Sequence, residues 1–381
     1  MNNSTKFYKR LFLIKPTSCF LTKLRRINWF YIILVLLLAG IGYIALYSAA
    51  GGVSSYFAKP QAIRFIMGLV VMVSTAVLPQ RIIKAIAAPL YILSILLLVA
   101  VLFKGHVGKG AERWLIICGV QIQPSEFAKI ALILALSKWF SRIDYKQIGN
   151  PLWLIPPAIM VILPVLLVLK EPNLGTAVII GGIGASLFFV SGMRLWHIAL
   201  LLLPTPALLQ FGYAHLHDYQ RARIETFLHP KNDPLGAGYN IIQSKIALGS
   251  GGIWGQGYIN GSQVQLNFLP EKQTDFIFSV IAEEWGFVGA VTVISLLLLI
   301  ILYGMIIAML CRSQFSRLLA LGISMNFFFY CLVNLSMVMG VIPVGGVPLP
   351  LVSYGGSSLL TVMFSFGLLM SAWVHRYTDC E

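Results

Sequence analysis

Charged residues are scarce in this chain, and acids are the scarcest of them. Asp and Glu together number 13 against 28 Lys and Arg, and charged residues make up 11% of the 381. Soluble domains carry about 25% charged residues, so the composition excludes an ordinary soluble globular fold. Cysteine is sparse as well. Cys19, Cys118, Cys311, Cys331 and Cys380 are scattered without CxxC spacing, which indicates neither a disulfide framework nor a metal site. No repeat of fixed period stands out, and no pair of inverted halves of the kind found in many transporters. No Gly-Lys-Ser/Thr follows a glycine-rich stretch, so there is no P-loop.

What fills the chain is apolar: 58% of residues are hydrophobic and the mean hydropathy is +0.84. A membrane helix takes about 20 apolar residues. On that template the sequence predicts an all-α, polytopic membrane protein of about ten spans. They fall at about 29–49, 62–79, 83–103, 123–140, 152–169, 174–192, 195–214, 276–309, 316–342 and 356–374. A large extracytoplasmic loop, about 215–275, joins the seventh to the eighth. A single transmembrane domain thus covers 29–375, between cytoplasmic tails at 1–28 and 376–381.

The net charge of +15 would suggest nucleic acid in a soluble protein, but here it reads as topology, with no nucleic-acid partner. Alternating loops put about 16 Lys and Arg on the side of the N-terminus and about 12 elsewhere, several of these in the one loop long enough to escape the rule. Both termini are expected in the cytoplasm and the long loop outside. The run at 29–49 is too long for the core of a signal peptide and reads as a retained first span.

One acid stands out. Asp275 closes the long polar loop and opens the eighth apolar stretch, where a carboxylate is costly and therefore functional by default. That stretch runs about 34 residues, or about 50 Å as helix, against a hydrocarbon core of about 30 Å. It must tilt, break, or begin outside the core. Helical periodicity puts Asp275 on one face with Ser279, Ala282, Gly286 and Gly289, a small-residue face that turns it into the bundle. Glu283 and Glu284 are expected to pair with a cation or to be protonated.

Arg113, Lys170, Arg221, Arg223 and Lys245 fall on the same side as Asp275. Arginine forks suit phosphate, although a solvated loop carrying ordinary charges explains each of them alone. The run from Gly249 to Gly257 suits either an anion cradle or a tight loop re-entering the interface. Gln123-Pro124-Ser125-Glu126 reads as a helix start with Lys129 one turn in. The pair is either a buried ion pair that fixes packing or a lysine poised over a cavity for an anion. His215, His217 and Asp218 make at most half a metal site.

Taken together, several motifs resemble one family. They are Gly110-Ala111-Glu112-Arg113-Trp114, the Gln123 to Lys129 start, Glu171-Pro172-Asn173-Leu174-Gly175-Thr176, Tyr219-Gln220-Arg221 and the run from Asp233 to Asn240. Leu269 to Phe276, Pro348-Leu349-Pro350 and Ser353 to Ser357 complete the set. The chain resembles the shape, elongation, division and sporulation (SEDS) family of bacterial membrane proteins over nearly its whole length. Gly238-Tyr239-Asn240 and Glu284-Trp285-Gly286-Phe287 look more like its elongation branch than its division branch.

The resemblance implies a ten-span glycosyltransferase that polymerises lipid II outside the inner membrane. Its partners would be a class B penicillin-binding protein and elongation-complex membrane proteins. Asp275 is the loop aspartate such members need, and the expected general base. Candidate substrate-binding residues are Arg113, Trp114, Lys129, Arg221, Arg223, Lys245, Glu283 and Ser353. Cations among them would hold the departing lipid diphosphate. No metal ligand is named; a divalent cation, Mg or Mn, could assist, but no ligand cluster argues for a tight one. Asn173 stands where the family usually has aspartate, Gln256 where it often has lysine, and Gly346 where it often has threonine. A lipid II flippase, an ion-coupled transporter and a scaffold are the rival classes. An acid at a loop boundary and the missing repeats argue against the transporter.

Overall fold

The computed structural model describes residues 20–104, 106–108, 111–117, 120–143, 151–193, 225–229 and 237–377. In chain order the elements are α1 (Phe20–Arg25), α2 (Trp29–Ala49), α3 (Ala58–Val77), α4 (Gln80–Lys104), β1 (His106–Gly108), β2 (Ala111–Ile117) and β3 (Val120–Ile122). There follow α5 (Pro124–Phe140), α6 (Pro151–Lys170), α7 (Leu174–Val190), α8 (Ala237–Ser250), α9 (Ser262–Gln265), α10 (Ile277–Leu310), α11 (Gln314–Val338) and α12 (Ser357–Val374). Seven of the described helices are long and apolar enough to cross a membrane. The 17-residue helices α5 and α7 account for two further expected spans, and the one expected at 195–214 lies outside the described residues.

Lipid offers no hydrogen bonds, so each span must satisfy its own backbone, and helices do this. Pro60 in the first turn of α3 gives up an amide that has no partner within the helix, whereas Pro89 lies inside α4 and Pro156, Pro157 and Pro164 inside α6. Helix α5 is the central post: almost every one of its residues is buried, including Glu126 and Lys129. It packs on α4, α11 and α7, while α12 lies along α3 and α10 along α11.

Two features depart from the sequence reading. The segment expected as a plain loop at 104–122 is a three-stranded antiparallel meander, β1-β2-β3. Its Leu115, Ile116 and Ile117 pair with Ile122, Gln121 and Val120. Outside the helices, short apolar segments satisfy their backbone by pairing with each other. The second half of the long loop is also built into the bundle: α8 packs on α10 and α11, with Ser244 buried and hydrogen-bonded to Ser279 at 2.9 Å and to the Val338 carbonyl at 2.8 Å.

Helix α10 breaks. Gly286 has φ 65° and ψ −159°, so the expected single face through Asp275, Ser279, Ala282, Gly286 and Gly289 does not exist. Asp275 precedes the helix, and everything beyond Gly286 is rotated out of register. An unbroken helix would bond the Phe287 and Val288 amides to the Glu283 and Glu284 carbonyls. Instead those amides donate to the Gly252 and Ile253 carbonyls at 2.9 and 3.2 Å. The freed carbonyls of Glu283 and Glu284 accept from the Gln256 and Gly257 amides at 3.0 and 3.1 Å. All four groups orphaned by the break are met by one loop. The approach is so close that a Cβ on Gly251 or Gly255 would run into the Ala282 or Glu284 carbonyl. The glycine-rich run is thus the tight re-entering loop; the amides of Gln256 and Gly257 are spent on a broken helix, not held free for an anion.

Candidate functional site

Asp275 is buried, with 9% of its surface exposed, in a turn whose backbone is held from two sides, one of them braced in turn by a third element. From α11, the buried amide of Asn334 donates to the Asp275 carbonyl at 3.0 Å and to the Val347 carbonyl at 2.8 Å. From the loop before α12, the Ser353 hydroxyl donates to the Thr274 carbonyl at 2.6 Å, and the Tyr354 amide to the Gln273 carbonyl at 2.8 Å. From α3, Gln61 steadies that loop, donating to the Ser353 carbonyl at 2.9 Å and accepting from the Gly355 amide at 3.3 Å. The turn ties itself as well: the Thr274 hydroxyl donates to a Glu271 carboxylate oxygen at 2.8 Å. A side chain on so fully determined a backbone can meet a ligand at little further entropic cost.

Asn334 and Gln61 were not singled out from sequence, and Gln273, Thr274 and Tyr354 figured there only as members of motifs, with no role of their own. Asn334 and Gln61 carried a readable signal, since an amide within or at the edge of an apolar span needs a partner. The Arg64 guanidinium lies 4.8 Å from the Tyr354 ring, a cation stacked on the same loop.

Several sequence-named residues have other work here. The Ser353 hydroxyl also accepts from the Leu349 amide at 2.8 Å, so its donor and one of its lone pairs are engaged in holding the loop. Glu283 is fully buried and accepts from the Gln263 amide at 2.8 Å and the Ser262 hydroxyl at 3.2 Å, fastening α9 to α10. Glu284 accepts from the Ser48 hydroxyl. Neither acid forms an ion pair with a described cation, so the expected pairing is not found: amide and hydroxyl donors take the cation's place, as they can for an acid of either protonation state.

Lys129 is 1% exposed and 2.7 Å from Glu126, and Tyr330 of α11 bonds to both. The geometry is that of the buried pair joining α5 to α11, and among the described residues it faces no open cavity. Lys245 is exposed on α8, its side-chain end lying over Gly340, and Lys170 is exposed at the end of α6. Arg113 lies in β2, and Trp114 beside it is partly buried and paired with His106. Arg221, Arg223, His215, His217 and Asp218 lie outside the described residues. Among the described residues no three His, Cys, Asp or Glu gather as a metal site would require.

Asn173 caps α7, its side-chain oxygen accepting from the Thr176 amide at 3.4 Å. Asparagine caps as well as aspartate, so this departure keeps the structural role and loses only the charge. Lys272, beside the Asp275 turn, donates to the Val264 carbonyl at 2.6 Å and to Asn267 at 2.8 Å. Burial pushes its ammonium below the ordinary lysine value, opposed by the Glu284 charge.

The chain is 45% identical over 316 residues to the peptidoglycan glycosyltransferase MrdB of Escherichia coli K12, covering 81% of this chain and 84% of that protein. It is 38% identical over 354 residues to a probable peptidoglycan glycosyltransferase FtsW of Trichlorobacter lovleyi, covering 89% and 91%. Its fold matches a chain solved in a study of how a peptidoglycan synthase complex coordinates polymerization and crosslinking, with a TM-score of 0.80 at 35% identity over 93% of this chain and 99% of that one. Residues 28–378 match the cell cycle proteins FtsW, RodA and SpoVE, and the chain belongs to that family.

Proposed function

We propose that this multi-pass membrane protein is a peptidoglycan glycosyltransferase that polymerises lipid II during cell elongation. The greater identity to MrdB than to FtsW supports the elongation branch. The observation that carries the reaction is Asp275, buried at the mouth of α10 in a turn held by Asn334 and Ser353, with Gln61 steadying the Ser353 loop. In the reaction, Asp275 takes the proton from the acceptor sugar hydroxyl as its oxygen bonds to the donor's anomeric carbon. The bond from that carbon to the lipid diphosphate breaks, and the diphosphate leaves with the electron pair. General-base help of this kind is worth about 10²–10⁴-fold.

Fixed positive charge must meet the diphosphate. Arg113, Arg221 and Arg223 are the residues we propose for it, with Trp114 and Lys245 along the substrate path. Lys129 reaches an anion only if its pair with Glu126 and Tyr330 opens, so we leave it out of the clamp. Mg or Mn carried in by the diphosphate is compatible with this chemistry. We place the site on the periplasmic side of the inner membrane with both termini in the cytoplasm, as the distribution of lysine and arginine supports. The proposed partners are a class B penicillin-binding protein, supplying crosslinking, and elongation-complex membrane proteins.

Purified protein reconstituted with lipid II and the transpeptidase tests this reading. Asp275→Asn should lower glycan polymerisation by at least about 10²-fold while still inserting and binding the partner. Glycan chains made by the mutant at the wild-type rate would remove Asp275 as base. No polymer from wild-type protein, with lipid II already in the accessible leaflet, would favour the flippase.

A further inference from the structure

An apolar groove between α2 and α3 opens sideways and ends against the loop that holds Asp275. Its walls include Leu36 and Gly40 of α2 and Ala62 and Ile66 of α3, its floor is Leu351 and Leu359, and its volume is about 220 Å³. Leu36 and Ile66 are 44% and 61% exposed on the flank of two membrane-spanning helices, so the open side faces hydrocarbon. The volume is below the roughly 300–1,000 Å³ of pockets that enclose whole small molecules. A sugar headgroup does not fit; a length of lipid chain does.

Three observations join this groove to the catalytic turn. Leu351 is buried with φ 67°, a conformation that a branched residue adopts only when its surroundings impose it, and such strain clusters at ligand clamps. The surroundings are visible: the Leu351 carbonyl and Val352 Cα press so closely on α2 at Gly42 that a Cβ there would lie 2.8 Å from each. Leu351 is two residues from Ser353, whose hydroxyl holds the Thr274 carbonyl. Gln61, on the groove's wall, has both ends of its amide bonded to that same loop.

A cation lies one helical turn beyond the groove's lining. Lys59 is exposed in the first turn of α3 and shares a helical face with Ala62 and Ile66, at the same end of the helix as Gln61. An apolar slot beneath a cation fits a lipid whose chain ends in phosphate.

We propose that this groove seats the headgroup-proximal part of the lipid chain of lipid II, with the diphosphate at the level of Lys59. The proposal rests on the polymerase reading above and adds where the chain lies.

A Cβ built on Gly40 meets nothing within 4 Å, so a large side chain there enters the groove and spares the core. Gly40→Trp should raise KM for full-length lipid II about tenfold, because a few methylenes lose their burial, with kcat within about twofold. The preference for full-length over chain-truncated lipid II should disappear, and Gly40→Ala should behave as wild type. Lys59→Gln should raise KM in the same sense. Ile66→Trp serves if Gly40→Trp fails to fold, judged by thermal melting. A lipid II analogue with a diazirine near the diphosphate end of its chain should label α2 and α3 in wild type and in Asp275→Asn, and not in Gly40→Trp.

Wild-type KM and chain preference in both tryptophan variants would overturn the proposal. So would labelling of other helices, or a diazirine phospholipid labelling the groove without competition from lipid II. Because labelling needs no turnover, a protein that labels but never polymerises would sink the polymerase reading and leave the groove standing.

Discussion

Lys129 shows what a single residue's surroundings can decide. From sequence, an anion-binding lysine and a buried structural pair were equally open, because both put a lysine one turn from Glu126. The Tyr330 hydroxyl, 201 residues away, closes the triad: it accepts one of the ammonium's donors, Glu126 accepts another, and the charge is already met. Removing one member of a buried ion pair typically costs about 3–5 kcal/mol, since the other charge is left alone. Lys129→Met should therefore lower thermal stability markedly, and Lys129→Met combined with Glu126→Gln should recover much of it. KM for lipid II should stay near wild type in the double variant. A KM raised tenfold in a stably folded double variant would restore Lys129 to the diphosphate clamp. Asp275 was legible as an acid at an apolar boundary. Its backbone restraints were not, since Asn334 and Ser353 come from segments 59 and 79 residues away.

At the scale of elements, α10 and the loop before α9 form one unit. A 34-residue apolar helix exceeds the bilayer, and the length alone permitted tilting, breaking or an early start. Gly286 makes it break, and the loop from Gly251 to Gly257 makes the break affordable by pairing all four orphaned backbone groups. In hydrocarbon each unpaired group would cost several kcal/mol. Gly251→Ala should thus unseat the loop and lower both melting temperature and polymerisation. Gly249→Ala, two residues earlier with nothing within 4 Å of its Cβ, should be close to neutral. Equal melting temperatures for the two variants would refute the docking argument. The glycines were visible in the sequence; their target was not, because helical periodicity describes a helix as though it never breaks.

The whole molecule is polarised along its spans. The Asp275 turn, the start of α3 and the start of α12 meet at one end through Gln61, Ser353 and Tyr354. At the other end Lys23 donates to the Val77 carbonyl at 3.2 Å and the Arg312 amide to the Arg376 carbonyl at 3.1 Å. Lys and Arg gather at that second end, which the charge rule assigns to the cytoplasm. In a variant lacking native cysteines, Gln256→Cys should react with an impermeant maleimide in cells whose outer membrane has been permeabilised. Ser313→Cys should react only after lysis. The reverse pattern would invert the proposed orientation and take the site off the periplasmic side.

Composition and run length alone determined that this chain lives in a bilayer, roughly where its spans lie, and that Asp275 needed a reason to be there. These are local properties, because transfer of about 20 consecutive apolar residues into lipid depends on those residues and on little else. Only the tertiary structure decided which polar groups were already spoken for: Lys129, Ser353, Glu283 and the glycine-loop amides. Their partners lie as far off as the 292 residues between Gln61 and Ser353. A hydrogen bond exists only where two atoms meet in space, and no spacing along the chain records that meeting.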